Sequence, residues 1–182
     1  MRELSLNVLD VAQNSVAADA SQIEIEISED TAAHTLMIGI YDDGRGMTAE
    51  QIASVRDPFY TTRTTRKVGL GVPLFKMAAE MTGGGLSIES TVGVGTKVRA
   101  DFHTDHVDFV PLGDMANTVV TLAAMNETIR FLYRHTVDGR SFTFDTAEIR
   151  EILGDVPMND PSIMQWMTGY IQENIQAITE VQ

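Results

Sequence analysis

The sequence predicts a domain of mixed helices and strands, with one sheet packed against helices. Apolar residues recur at helical spacing over residues 3–18, which predicts a first helix that is apolar around much of its circumference. Isoleucines at 23, 25 and 27 alternate with polar residues, the pattern of a half-buried strand. Further strands are predicted at 36–41, 86–90 and 96–102, the last two as a hairpin.

Composition limits the classes of protein to which the chain can belong. Its 182 residues suffice for one domain with a core and a smaller appendage, and 43% hydrophobic with 21% charged residues is typical of soluble globular proteins. The sequence contains no cysteine, no apolar run long enough for a membrane span and no apolar stretch at its start, so we expect a cytoplasmic protein. The net charge of -13 repels phosphates, so we expect neither nucleic acid nor a membrane as partner.

Four short motifs follow one another along roughly the first hundred residues. They are Asp10-x-x-x-Asn14, Asp42-x-Gly44-x-Gly46, Gly69-Leu70-Gly71 and Gly93-x-Gly95-Thr96. Each alone is weak evidence, because glycine turns and helical carboxylates are common. In this order they predict a nucleotide held against a helix, with a mobile loop over its phosphates.

The first helix carries a polar stripe, since Asn7, Asp10 and Asn14 are spaced at i, i+3 and i+7. One interpretation is that this face is exposed or bonds to nearby backbone. The other is that the Asn14 amide oxygen holds Mg²⁺, which takes most of its ligands from phosphates and water. Asp10, one turn away, would then orient water or accept a proton.

The second motif follows a predicted strand directly. Its glycines, Gly44 and Gly46, let the backbone approach a flat ligand, and the Asp42 carboxylate is suited to accept a hydrogen bond from an exocyclic amine such as that of adenine. An ordinary turn is the alternative interpretation, because Asp-Asp-Gly is also a common turn sequence.

A basic segment lies between the second and third motifs. Residues 56–67 hold four of the thirteen basic residues, Arg56, Arg63, Arg66 and Lys67, and lack helical or strand periodicity, which predicts a loop. It is either a solvated surface loop or a lid for a polyphosphate. The lid is favoured by Gly69–Gly71, because amides at a helix start bind phosphate.

Together these motifs resemble the GHKL ATPase superfamily, which includes DNA gyrase, MutL, the large heat-shock chaperone, sensor histidine kinases and anti-sigma serine kinases. The resemblance covers roughly residues 1–104. The four motifs match its N, G1, G2 and G3 boxes in order, and Phe59 with its neighbours resembles the F box of kinases.

The resemblance implies a Bergerat fold, an α/β (α+β) two-layer sandwich with a mixed, mostly antiparallel sheet. Asn14 would bind Mg²⁺, Asp42 the adenine amine, residues 60–68 would form the ATP lid, and Asp10 would be the catalytic base. The ATP-binding residues would be Asn14, Asp42, Gly44, Gly46, Met47, Phe59, Thr61, Thr62, Arg63, Lys67, Gly69, Leu70, Gly71 and Thr96.

The expected function is ATP·Mg²⁺ binding by a stand-alone protein kinase, histidine kinase-like or anti-sigma kinase-like, in signal transduction. No phosphoacceptor region precedes Glu3, and none of the four histidines has a phosphoacceptor-like context, so we expect the acceptor on a partner protein. The alternative is an ATP-gated binding module with slow or no hydrolysis. By the resemblance, Asp10 stands where ATP-hydrolysing and anti-sigma members typically carry glutamate, and aspartate is one methylene shorter. A homodimer is left open.

Residues 105–182 carry no motif by which we can name a family, and we expect a second domain here, a small α/β appendage to the ATP-binding domain at 1–104. A helix near 114–125, strands at 129–135 and 141–145 and two further helices are predicted. The segment would contact a partner, sense a ligand or extend the core. A group of acidic residues and histidines lies where the two predicted domains meet: Asp101, His103, Asp105, His106 and Asp108. A metal site is not favoured there, because successive side chains of a strand point to opposite faces and would separate these ligands.

Overall fold

A computed structural model describes residues 3–57 and 70–180. These residues form α1 (Leu4–Ala17), β1 (Gln22–Asp30), β2 (Thr35–Asp42), α2 (Ala49–Arg56), α3 (Gly71–Met81), β3 (Gly85–Thr91), β4 (Gly95–His103), α4 (Met115–Met125), β5 (Arg130–Val137), β6 (Arg140–Asp145), α5 (Thr146–Leu153) and α6 (Pro161–Thr179). In the part of the chain described, no helix combines the length and apolar character needed to cross a membrane.

One six-stranded sheet runs through the molecule in the order β3-β4-β2-β1-β5-β6. Among the strands of residues 3–57 and 70–180, β1 and β5 pair in parallel, and the other neighbouring pairs are antiparallel. The predicted mixed, mostly antiparallel sheet is therefore confirmed.

The sheet has one buried and one solvated face, which makes the fold a two-layer sandwich. Alternate residues of β1, such as Ile23 and Ile25, are fully buried with Phe131 and Tyr133 of β5 in a core that includes the helices. The intervening residues form a polar outer face, where Arg134 pairs with Glu24 at 2.8 Å. The period-two pattern thus places the helices on one side only.

The segment after residue 104 continues this sheet. Its strand β5 pairs with β1 from Gln22↔Arg130 to Glu29↔Val137, and α4 packs against α1 and α6. Of the three roles considered for this segment, extension of the core is what these contacts show. The domain boundary at 104 stays a prediction, and strands from both sides of it belong to one sheet.

One helix was not predicted, and it corrects the start of the basic loop. Arg56 is the last residue of α2 and not part of a loop, while residues 58–67 lie outside the described residues. The helix begins with a capping box, in which the Thr48 side chain accepts from the Gln51 backbone and the Gln51 side chain accepts from Thr48. None of its residues is fully buried, and Ile52 and Val55 are partly buried against the core.

Candidate functional site

A cavity of about 170 Å³ lies between α1, the starts of β4 and α3, and the turn that follows β2. Most of its lining residues are apolar, and a few are polar. The full lining consists of Val11, Asn14, Ser15, Ala18, Asp42, Gly46, Met47, Val55, Val72, Ile88, Thr96 and Val98. An apolar cavity of about 150 Å³ holds a benzene ring in another protein. The volume and lining here therefore suit a flat aromatic group.

The structure brings five of the predicted site residues together at this cavity: Asn14, Asp42, Gly46, Met47 and Thr96. Asp10, Gly44 and Gly71 are not among its lining residues. Gly44 lies against Ala18 and Asp42, which do line it, and Gly71 lies against Asp10. Leu70 is 46% exposed at the start of α3. Six further predicted residues fall outside the described residues: Phe59, Thr61, Thr62, Arg63, Lys67 and Gly69.

Asp42 is held by a hydrogen bond to each carboxylate oxygen. The hydroxyl of Ser15 donates to Oδ2 at 2.5 Å, and the backbone N–H of Gly44 donates to Oδ1 at 2.8 Å. A carboxylate has about four acceptor positions, so these two bonds leave Asp42 able to accept from a further donor. The arrangement fixes the carboxylate as an oriented acceptor at the wall of an apolar cavity.

The neighbouring Asp43 has a structural role instead. It accepts from the backbone N–H groups of Ser21 and Gln22 at 2.8 and 2.9 Å, and from the Ser21 hydroxyl. Burial alone would raise the pKa of Asp43, but these donated hydrogen bonds outweigh it, and the pKa lies below its ordinary value. Asp43 therefore anchors the start of β1 as a carboxylate and is not among the cavity residues.

Tyr41, just before Asp42, also points away from the cavity. Its hydroxyl donates to Glu26 at 3.0 Å, and burial together with this carboxylate raises the pKa of Tyr41 to about 12. The phenol consequently stays protonated at neutral pH and acts as a donor on the outer sheet face. Of the three residues 41–43, only Asp42 faces the cavity.

Ser90 joins three parts of the cavity wall, a role that the sequence did not reveal. Its hydroxyl accepts from the Met47 backbone N–H at 2.8 Å, donates to the Gly95 carbonyl at 3.0 Å and bonds to the Thr96 hydroxyl at 2.8 Å. Thr96 in turn lies opposite Asp42 in the β2–β4 pairing. Ser90 therefore fixes the turn after β2 against the β3–β4 hairpin.

Gly46 is required by both backbone conformation and space. Its φ is +72°, and a Cβ atom there would lie 2.0 Å from the carbonyl oxygen of Thr91. Gly93, in the hairpin turn, has a similar φ of +81°, but a Cβ atom there would meet nothing within 4 Å. A substitution at Gly93 would therefore introduce backbone strain alone, whereas one at Gly46 would add a steric collision.

Gly46→Ala is expected to lower the free energy of unfolding by about 3 kcal/mol, because it adds a backbone collision to left-handed strain. Gly93→Ala, the matched control, should cost about 1 kcal/mol, the strain alone. Urea unfolding of the two variants beside the unmodified protein measures both values. Equal losses would contradict a special close approach at Gly46.

The start of α3 lies directly beside Asp10. A Cβ atom on Gly71 would be 3.3 Å from the Asp10 Cβ, so α1 and α3 approach closely here. Side chains cap the N-termini of α2, α4, α5 and α6. No described side chain caps α1, whose first amides bond to the backbone carbonyls of Pro111 and Leu112, or α3. The first amides of α3 and the positive end of its dipole suit an anion such as phosphate.

Within the described residues, no cluster of three or more acidic or histidine side chains could hold a metal ion. At the junction after β4, Asp101 pairs with Arg99 at 3.0 Å, and the His106 ring accepts from the Asp108 backbone N–H. A magnesium site at Asn14 is compatible with this, because Mg²⁺ commonly binds one or two protein oxygens and takes its other ligands from phosphate and water.

A base-sized apolar cavity with an oriented carboxylate, near a helix start that no described side chain caps, has the features of a nucleotide-binding site. The model of the histidine kinase-, DNA gyrase B- and HSP90-like ATPase family matches residues 1–106, and the chain belongs to this family. The predicted superfamily and its Bergerat fold are thereby confirmed.

Two kinases of Bacillus subtilis (strain 168) are similar to the chain. Sporulation kinase B is 32% identical over 104 residues, 57% of this chain and 24% of that protein. Sporulation kinase C is 30% identical over 96 residues, 53% of this chain and 22% of that protein. The similarity thus spans about a quarter of each kinase or less.

A solved structure, the N-terminal domain of a DNA repair protein, resembles the fold with a TM-score of 0.56 at 16% sequence identity. The superposition covers 79% of this chain and 52% of that chain. It therefore includes residues beyond the 1–106 that the family model matches. Part of the segment after β4 accordingly shares the likeness in fold.

Proposed function

We propose that the chain binds ATP with Mg²⁺ in this cavity and transfers the γ-phosphate to a serine or histidine of a partner protein. The observation that carries the proposal is the Asp42 carboxylate, held by Ser15 and Gly44 at the wall of a base-sized cavity. Membership of an ATPase family and similarity to two kinases support the same choice.

The adenine ring would lie between apolar side chains of both layers. Val11 and Val72 come from helices, and Ile88 and Val98 come from strands. Such walls bind any flat ring without selecting one, because apolar contact is not directional. Selection would come from Asp42, whose free acceptor positions suit the 6-amino group of adenine.

The phosphates would extend from the cavity towards Asn14, Asp10 and the start of α3. Asn14 lines the cavity, and Asp10 lies one helical turn before it on α1. Mg²⁺, held by the Asn14 amide oxygen and by phosphate oxygens, would neutralise charge during transfer. The predicted lid cations, Arg63 and Lys67, would add to this neutralisation.

Transfer would form a bond from the acceptor oxygen or nitrogen to the γ-phosphorus. The bond between the γ-phosphorus and the oxygen that bridges it to the β-phosphate would break, and ADP would leave with the electron pair of that bond. A serine acceptor would give its proton to the Asp10 carboxylate. In phosphoryl transfer most of the rate comes from positioning and charge stabilisation, so a rigid α1 carrying both Asn14 and Asp10 is well suited.

One observation favours a second candidate, an ATP-gated binding module. By the resemblance to the superfamily, hydrolysing members typically carry glutamate at the position of Asp10, which is one methylene shorter. The reach of a base decides its efficiency before its pKa does. In this function ATP would order the lid and change a docking surface, with little or no turnover.

Incubation with γ-labelled ATP and Mg²⁺ in a lysate of the source cells tests the choice between the two. If the chain is a kinase, a partner protein should become labelled. No label should appear with Asn14→Ala, because loss of the Mg²⁺ ligand removes productive ATP binding. Calorimetric titration run in parallel measures that loss of affinity. ATP binding without any labelled protein would favour the gated module, and unchanged affinity in Asn14→Ala would remove Asn14 from the metal role.

A further inference from the structure

We propose that Ser15 sets the base specificity of this site by holding Asp42 as part of a wall that only accepts hydrogen bonds. The inference rests on the proposed function, because it concerns the base that the same cavity binds. It assigns Ser15 as a positioning residue that acts through Asp42.

The direction of the Ser15–Asp42 hydrogen bond follows from the two groups. An ionised carboxylate can only accept, so the single hydroxyl hydrogen of Ser15 must be directed to Oδ2, 2.5 Å away. Ser15 is only 4% exposed and lines the cavity, so water has little access to compete for this hydrogen. Ser15 and Asp42 therefore present only lone pairs to a ligand.

An acceptor-only wall selects the edge of the base that approaches it. The 6-amino group of adenine brings N–H donors, whereas the 6-oxo group of guanine would place one acceptor against another. A site built to bind a substrate N–H strongly rejects analogues that lack it, because its own buried polar groups are then left unpaired. Without Ser15, Asp42 would lose one of the two hydrogen bonds that orient it.

Ser5 provides a natural comparison on the same helix. It is 1% exposed and its hydroxyl donates to Glu3 at 2.9 Å, yet it is not among the residues that line the cavity. Ser5 and Ser15 are both buried serines bonded to a carboxylate. The partner of Ser15, Asp42, lines the cavity, whereas the partner of Ser5, Glu3, does not. A general effect of losing a buried hydroxyl from α1 would thus appear in both.

The test is calorimetric titration of the unmodified chain, Ser15→Ala and Ser5→Ala with two nucleotides in the presence of Mg²⁺. One is ATP, and the other is purine riboside triphosphate, which lacks the 6-amino group. Ser15→Ala is expected to weaken ATP binding about tenfold and to leave the analogue unchanged, because the loss is specific to the amine contact. Ser5→Ala should change neither affinity.

Equal ATP affinity in Ser15→Ala and the unmodified chain would overturn the inference, as would an equal loss for both nucleotides. If Ser15→Ala does not fold, Ser15→Cys keeps the size of the side chain with a weaker donor. The expected result is then a smaller loss, again confined to ATP. Failure of the unmodified chain to bind ATP would instead overturn the proposed function, so the two failures are distinguishable.

Discussion

Asp42→Asn is expected to weaken ATP binding about a hundredfold and to improve GTP binding relative to ATP. The Gly44 N–H must still find an oxygen, so the amide oxygen of the substituted side chain would take the place of Oδ1. Its NH₂ group then replaces Oδ2, where it can no longer accept from the Ser15 hydroxyl, and it opposes the 6-amino group of adenine, donor against donor. Loss of a hydrogen bond to a charged group accounts for the size of the effect.

Asp43→Asn is the matched control for this prediction. It makes the same substitution one residue later, at a carboxylate bonded to Ser21 and Gln22 outside the cavity. We expect it to leave nucleotide affinity unchanged while slightly lowering stability. Titration of both variants with ATP and GTP decides the matter. Equal binding of ATP and GTP by the unmodified chain, or unchanged ATP affinity in Asp42→Asn, would contradict the role of Asp42.

The sequence predicted the individual strands well but not how they pair across the sheet. Alternation in β1 assigns Ile23, Ile25 and Ile27 to one face, and a hairpin was expected for β3 and β4, which do pair. The parallel pairing of Gln22 with Arg130 joins segments far apart in the chain. The alternating pattern indicates which residues of a strand share a face, but it does not indicate which strand lies beside it in the sheet. This pairing could therefore not be predicted.

In the candidate site too, residues in short sequence motifs were predicted, whereas residues that act through contacts distant in sequence were not. Asn14 and Asp42 belong to short motifs, so they were predicted and now lie at one cavity. Ser15 and Ser90 act through contacts with groups elsewhere, and a lone serine in a helix or strand carries no signal of that kind. The helix α2 did have a readable signal in the Thr48–Gln51 capping box, but lacked the apolar period that predicts most helices.

Asp10→Asn is expected to reduce phosphoryl transfer or hydrolysis by about a hundredfold or more while leaving ATP affinity nearly unchanged. The substitution keeps the size of the side chain beside Gly71 and removes its ability to accept a proton, so the packing of α1 against α3 is retained. Single-turnover measurements with γ-labelled ATP give the rate, and calorimetric titration gives the affinity. Separate effects on rate and affinity identify a base, since a packing defect would lower both.

Asp10→Glu supplies the complementary comparison, because it restores the length found in hydrolysing members of the superfamily. If reach limits the unmodified chain, Asp10→Glu should turn over ATP faster than the unmodified chain does, whereas Asp10→Asn should be slower. A faster rate with glutamate than with aspartate would then reflect the distance that the base must span, and a slower rate with asparagine would reflect the loss of a proton acceptor of the same length. Turnover that persists in Asp10→Asn would place the base elsewhere. A chain that binds ATP, and shows no turnover with any of the three residues, would act as the gated module.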